Sequence, residues 1–185
     1  YSMISVVQNF ICTKEKRLNI LQEEVPNMAK VFKDCDFYIN YGTIENLFEV
    51  ARVYEDNVER LNFYNNLDPN WGLVTLSLIE EIKTPYTLIL CEDFEYRINY
   101  DEWIEIVDEF VERDVSYLPI GRLWKYTEEK YHSGYEEGKK LWFYPASKSP
   151  GSSLSVDAIY KTDMLKEKLR ELQSYGPRRF PIHLP

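Results

Sequence analysis

Glu92, Asp93 and Glu95 place three carboxylates within four residues, directly after the apolar run Tyr86-Thr87-Leu88-Ile89-Leu90-Cys91. Like charges a few ångströms apart repel, and the low-dielectric rim of a buried strand strengthens that repulsion. A divalent cation resolves the conflict. Carboxylate oxygens suit Mg²⁺ and Mn²⁺, which commonly share their shell with substrate phosphates. Such an ion also acts as a Lewis acid on a departing phosphate group. The alternative is a solvated acidic turn at the end of a strand.

The elements that must position these acids follow from the hydrophobic pattern. Ile4–Phe10 reads as a buried strand. Thr13 is placed to cap a helix in which Leu18, Leu21, Val25, Met28 and Phe32 recur at three- and four-residue steps. Pro26 should kink that helix or start a new turn. Asp36–Asn40 is a second strand, Ile44, Leu47, Phe48 and Ala51 mark a second helix, and Val58–Tyr64 is a third strand. Asn65 to Asn70 is turn chemistry, and Leu73, Leu76, Ile79 and Ile82 define a third helix. Tyr86–Cys91 is apolar throughout, so both its faces should be covered, as in the centre of a parallel sheet. Asp101 is placed to cap a helix carrying Trp103, Ile106 and Phe110, and Val115–Ile120 is a further strand. The second half is broken by glycines and prolines. There Leu141–Tyr144 and Leu154–Tyr160 read as strands, and Thr162 caps a last helix with Leu165, Leu169 and Leu172. Strands alternating with helices predict an α/β domain with a mostly parallel, Rossmann-like sheet flanked by helices and a loop-rich, mixed C-terminal half. In such sheets ligands lie beyond the carboxyl ends of the strands, which brings Glu92-Asp93, Asn40 and the Asn9 loop to one edge.

The composition narrows the function. Of 185 residues, 22 are Lys or Arg and 31 are Asp or Glu, a net charge of −9. So acidic a chain is a poor generic partner for nucleic acid or anionic membranes, and an anionic substrate needs locally supplied positive charge. No apolar stretch is long enough for a membrane span, and Tyr1–Val7 has no basic leader that would mark a signal peptide. Cys12, Cys35 and Cys91 are odd in number and lack zinc-ligand spacing, which predicts a reduced, cytoplasmic protein.

With these residues in place, the chain resembles family-2-like glycosyltransferases of the GT-A fold. Ile4-Ser5-Val6-Val7 with its loop and helix is similar to that family's opening strand. Asn65-Asn66 through Trp71-Gly72 is similar to its Asn-rich loop, glycine and helix. Tyr86–Leu90 followed by Cys91-Glu92-Asp93 is similar to its apolar strand and acidic DxD motif. The resemblance covers residues 4–165 as an ordered series. It implies a single domain over 3–174, with a nucleotide-binding half over 3–100 and an acceptor half over 101–174, and a C-terminal arm over 175–185. It implies Asp93 as the main metal ligand for Mn²⁺ or Mg²⁺, Glu95 assisting through water, and Glu92 facing the ribose or diphosphate. Gln8, Asn9 and Phe10 would form part of the base pocket, Asn40 would face the nucleobase, and Gly72 would let the backbone approach the nucleotide. Cys91 stands where the family often has its first acid, Asn40 where it usually has Asp, and no Arg or Lys follows Gly72 in Leu73-Val74-Thr75-Leu76.

The implied activity is transfer of a sugar, with inversion, from a nucleoside-diphosphate donor to a hydroxyl acceptor on a sugar, glycoprotein or lipid, with a second copy of the chain as a candidate partner in a homodimer. Inversion needs a general base opposite the departing diphosphate. Asp157 is the choice, as a lone acid in the apolar run Leu154–Ala158, where a charge needs a reason; an outward-facing strand residue is the alternative. Glu136 and Glu137, in a segment that reads as a mobile loop, are rivals. His183 is a metal-ligand candidate by resemblance to GT-A enzymes, and Arg178 and Arg179 could reach a diphosphate bidentately. Alternatively that tail is a packing arm. His132 reads as a surface residue, and Trp71, Trp124, Trp142 and Tyr126 as packing or sugar-stacking residues. Two alternatives stand beside the transferase. One is a catalytically degenerate GT-A module that only binds a nucleotide or a partner. The other is a sugar-phosphate nucleotidyltransferase, ranked lower because Phe10–Lys14 has no glycine. A receiver domain is excluded by Gln8-Asn9, where it would need an acid pair.

Overall fold

The computed structural model describes residues 2–92, 98–120, 136–139, 142–143 and 156–173. The elements run β1 (Ile4–Phe10), α1 (Glu15–Val31), β2 (Asp36–Tyr41), α2 (Leu47–Glu55), β3 (Leu61–Tyr64), α3 (Trp71–Glu80), β4 (Tyr86–Ile89), α4 (Tyr100–Glu112), β5 (Tyr117–Pro119), β6 (Glu136–Glu137), β7 (Trp142–Phe143), β8 (Ala158–Lys161) and α5 (Thr162–Gln173). β6 and β7 form a separate antiparallel pair, so Glu136 and Glu137 lie in a short strand rather than in the loop expected for them.

The main sheet has the order β3-β2-β1-β4-β8-β5. β1 to β4 are parallel, and β8 runs antiparallel between β4 and β5. The strand order reverses between β1 and β4. Open α/β sheets bind ligands at such a reversal, outside the carboxyl ends of the strands. Because β8 runs the other way, the residue that enters it lies at the same edge.

Alternation along the strands divides the core into two. Ile4, Val6 and Phe10 of β1 face α1, α2 and α4, where Leu21, Val25, Tyr54, Trp103 and Phe110 are buried. Val7 and Ile89 face α3 and α5, against Leu78, Ile79, Leu165, Leu169 and Leu172. Each such aliphatic side chain contributes roughly 1.5–3 kcal/mol when fully buried. Both faces of β4 are covered, as its unbroken apolar run predicts.

Several local expectations change. Thr13 does not cap α1; Lys14 occupies the cap position with no side-chain hydrogen bond. Pro26 lies inside an uninterrupted α1, because Leu21, Val25 and Met28 bury the stripe on both sides of it and offset the lost backbone bond. Asn99, not Asp101, caps α4, its Oδ1 accepting from Glu102 N at 2.9 Å. Thr162 is the first residue of α5, and its hydroxyl donates to Thr84 O at 2.8 Å instead of capping the helix. β3 is shorter than Val58–Tyr64, since Val58 N closes the turn after α2 on Tyr54 O. Leu73 is 44% exposed, and the buried face of α3 is carried by Gly72, Val74, Thr75, Leu78 and Ile79. Among the described residues no helix is long and apolar enough to cross a membrane.

Candidate functional site

The turn that follows β4 is held from three directions. Cys91 N donates to Asp157 Oδ1 at 2.8 Å. Cys91 O accepts from Gln8 Nε2 at 3.1 Å. The next residue, Glu92, pairs through Oε1 with Arg17 Nη1 at 2.7 Å. Thus β1, the first turn of α1 and the entry to β8 all converge on Cys91-Glu92, at the reversal of strand order.

Each contact has a local cause. Gln8 sits in the middle of a central strand and is 2% exposed. A buried amide must be bonded at both ends. Its Oε1 accepts from Tyr54 OH at 2.5 Å, and its Nε2 is the donor to Cys91. Burial holds the Tyr54 phenol well above its ordinary value, and the Glu92 charge adds to the shift, so Tyr54 remains a donor. Burial also raises the Cys12 thiol. The Glu92 charge raises it further while Arg17 lowers it, so both charges act on the loop after β1. The Glu92 side chain is 13% exposed and that of Arg17 51%. The acid therefore turns inward, with its guanidinium partner on the solvent side.

Asp157 was expected inside a strand. It lies instead one residue before β8, in the left-handed region at φ 55. Asp tolerates that conformation better than most residues because its short side chain bonds locally. Its backbone O accepts from Ile120 N at 2.8 Å while Oδ1 accepts from Cys91 N. One residue thus joins the carboxyl ends of β4 and β5.

A second network flanks the first. Asn40 is 1% exposed. Its Nδ2 donates to Asn9 Oδ1 at 3.1 Å and to Asn66 O at 3.2 Å, and its Oδ1 accepts from Asn66 N at 2.8 Å. Asn9 Nδ2 donates to Trp71 O at 3.3 Å and Thr75 Oγ1 at 3.1 Å, and Trp71 Nε1 donates to Asn9 O at 2.9 Å. An aspartate at position 40 could accept from Asn66 N but could not donate to Asn9 and Asn66 O. The amide is what this arrangement requires, and it locks the 65–70 loop to β1 and β2. Gly72 is buried in the first turn of α3. Phe10 is buried beneath the same edge, edge-on to Tyr41 at 5.5 Å.

Of the residues picked from sequence, Gln8, Asn9, Asn40, Glu92 and Asp157 meet at this edge. Asp93, Glu95 and His183 lie outside the described residues, as do Arg178, Arg179, Trp124, Tyr126 and His132. Among the described residues no group of three or more His, Cys, Asp or Glu is arranged to hold a metal ion. Sequence reasoning missed Arg17 and Tyr54. For Arg17 a signal existed, since Lys14, Lys16 and Arg17 place three cations at one helix start of an acidic chain. For Tyr54 there was none, because it reads as one more apolar helix position. A cavity of about 350 Å³ lies at the opposite end of the sheet, between Ser2, Met3, Phe32 and Trp103, remote from all these groups.

No protein-family model matches the chain, and no curated protein matches it in sequence. Solved structures do match. Residues 1–349 of S. aureus TarS share 15% identity at a TM-score of 0.54, over 91% of this chain and 49% of that one. The same protein in complex with UDP-GlcNAc gives 16% and 0.56, over 91% and 47%. A longer TarS structure gives 16% and 0.53, over 89% and 29%. This chain therefore spans about half the length of the shorter TarS chains. With the strand order above, the likeness establishes the architecture: the chain has the fold of TarS, the GT-A-like fold that its sequence resembles.

Proposed function

We propose that the protein transfers a sugar, with inversion, from a nucleoside-diphosphate donor to a hydroxyl acceptor. The donor would lie along the carboxyl edge of β1, β2 and β4. The observation that carries this reading is the bond from Cys91 N to Asp157 Oδ1. It joins a carboxylate picked from sequence as the base to the acidic turn picked as the donor site, across 66 residues of chain. TarS, with the same fold, has been solved with UDP-GlcNAc and with UDP, which supports a nucleotide-sugar donor here.

In the proposed reaction the acceptor hydroxyl gives its proton to Asp157 as its oxygen bonds to the anomeric carbon. The bond from that carbon to the diphosphate breaks, and the diphosphate leaves with the electron pair. Cys91 N holds one carboxylate oxygen of Asp157, which fixes the base in place. Gln8 and Tyr54 hold the turn from beneath, and the Asn9–Asn40 network holds the loop that would border the nucleoside.

Glu92 offers a hard carboxylate oxygen at the donor edge, which suits Mg²⁺ or Mn²⁺. By the resemblance, Asp93, Glu95 and His183 would be the further ligands. The ion would supply positive charge on the diphosphate and stabilise its departure.

Thermal melting tests the donor and metal parts together. UDP and other nucleoside diphosphates are added with Mn²⁺, with Mg²⁺ and with EDTA. A stabilising shift that needs the metal and disappears in Asp93→Asn is expected. An equal shift in EDTA would favour the degenerate binding module.

A further inference from the structure

An acidic protein that binds a diphosphate must bring cations to it. The family's usual place for one, just after Gly72, carries Leu73-Val74-Thr75-Leu76. Resting on the function proposed above, we propose that Arg17 is the side chain that grips the donor's diphosphate, and that Glu92 holds the guanidinium at the site before the donor arrives.

Position singles Arg17 out among the described arginines. Arg60 pairs with Asp36 at the start of β2, and Arg52 with Asp56 just past the end of α2, both at the far end of the sheet. Arg113 follows the last turn of α4, again at the far end. Arg170 is bound by Glu80, the last residue of α3. Arg17 alone among them stands where β1 and β4 end.

Its chemistry fits the task. A guanidinium presents a planar fork that bonds phosphate oxygens two at a time, which the neighbouring Lys14 and Lys16 cannot do. Half of the side chain is exposed, so it is open to a ligand while one nitrogen remains on Glu92. The cap of α1 makes no side-chain hydrogen bond, which leaves the positive end of a 17-residue helix facing the same edge. The pair with Glu92 fixes where the guanidinium sits, so less freedom is lost when the donor binds. The guanidinium side of the pair is open to water, which screens it and makes it a weak tie for the fold. Its placement at this edge suits a ligand.

The test is calorimetric titration with UDP, GDP, CDP and ADP in Mn²⁺, and then with the nucleoside of whichever binds tightest. Arg17→Gln should weaken the diphosphate at least tenfold and leave the nucleoside unchanged. Arg17→Lys should fall between the two, because it keeps the charge and loses the fork. The melting temperature of both variants should stay close to wild type. A merely structural Arg17 would move nucleoside and diphosphate together. That result, or undiminished diphosphate binding in Arg17→Gln, overturns the inference and leaves the proposed function standing. A wild-type protein that binds none of the four overturns both.

Discussion

Asp157 carries two duties that a single substitution separates. Its Oδ1 accepts from Cys91 N, and the proposed chemistry asks the same carboxylate to take a proton. Asn keeps the acceptor oxygen and tolerates the left-handed backbone, but it cannot act as a base. Asp157→Asn should therefore lower turnover about 100-fold or more while the melting temperature changes little. Turnover close to wild type would refute the base assignment and leave the fold untouched. Gln8 and Tyr54 offer the opposite case, a structural bond with no reacting atom. Tyr54→Phe leaves the buried Gln8 Oε1 without its donor. The expected cost is about 1–3 kcal/mol, read as a lower urea midpoint at unchanged slope. Residue identity at this scale was partly legible. Glu92 and Asn40 could be picked because each stands at the end of a strand-like run, and Asp157 because it is a lone acid inside an apolar one. The amide at position 40 looked like a departure until the structure showed it donating to two oxygens, which no aspartate can do. Tyr54 was not legible as a site residue and Arg17 only as one of three cations at a helix start, because their partners lie 46 and 75 positions away.

Elements set the distances between these groups, and the 65–70 loop with α3 is the one whose placement depends most on side chains. Asn70 caps α3 by accepting from Leu73 N at 3.1 Å. Asn70→Ala should cost about 1 kcal/mol and leave the α3 start frayed beside Trp71 and Asn9, checked by hydrogen exchange at Leu73 and Val74. The other tie is from β3 to the end of α3, where Tyr64 OH donates to Glu81 Oε2 at 2.5 Å. That bond, and then burial, push the Tyr64 phenol from 10.0 up to about 12. The unfolded chain releases this proton first, so the folded state holds more protons between those values. The contribution is fully present below pH 10 and fades as pH rises towards about 12. The alkaline limb of the stability curve should flatten over that window in Tyr64→Phe. The order of strands and helices was legible because their apolar periods differ. The caps were not, since Thr13, Asp101 and Thr162 are all good cap types and neighbours in space chose otherwise. Asp157 was misread as a strand residue because its run looks apolar, and only the φ of 55 shows that the chain turns there.

At the scale of the whole molecule, one topological fact organises the rest. The strand order reverses between β1 and β4, and β8 is inserted antiparallel beside β4. Open α/β sheets bind ligands at such a reversal, and the insertion delivers Asp157 to that edge from late in the chain. A parallel β-α series predicts the reversal from sequence. It does not predict the insertion, because nothing local says that a strand near residue 160 pairs with one near residue 88. The likeness to TarS covers nearly all of this chain and about half of the shorter TarS chains, so what is shared is the fold. The reaction proposed for this edge is sugar transfer. It is tested most directly by measuring nucleoside-diphosphate release from a panel of nucleotide sugars in Mn²⁺, with water as acceptor. The account predicts metal-dependent release from at least one donor, lost in Asp93→Asn and Asp157→Asn. Release that is absent with every donor, or that persists in both variants, would contradict it.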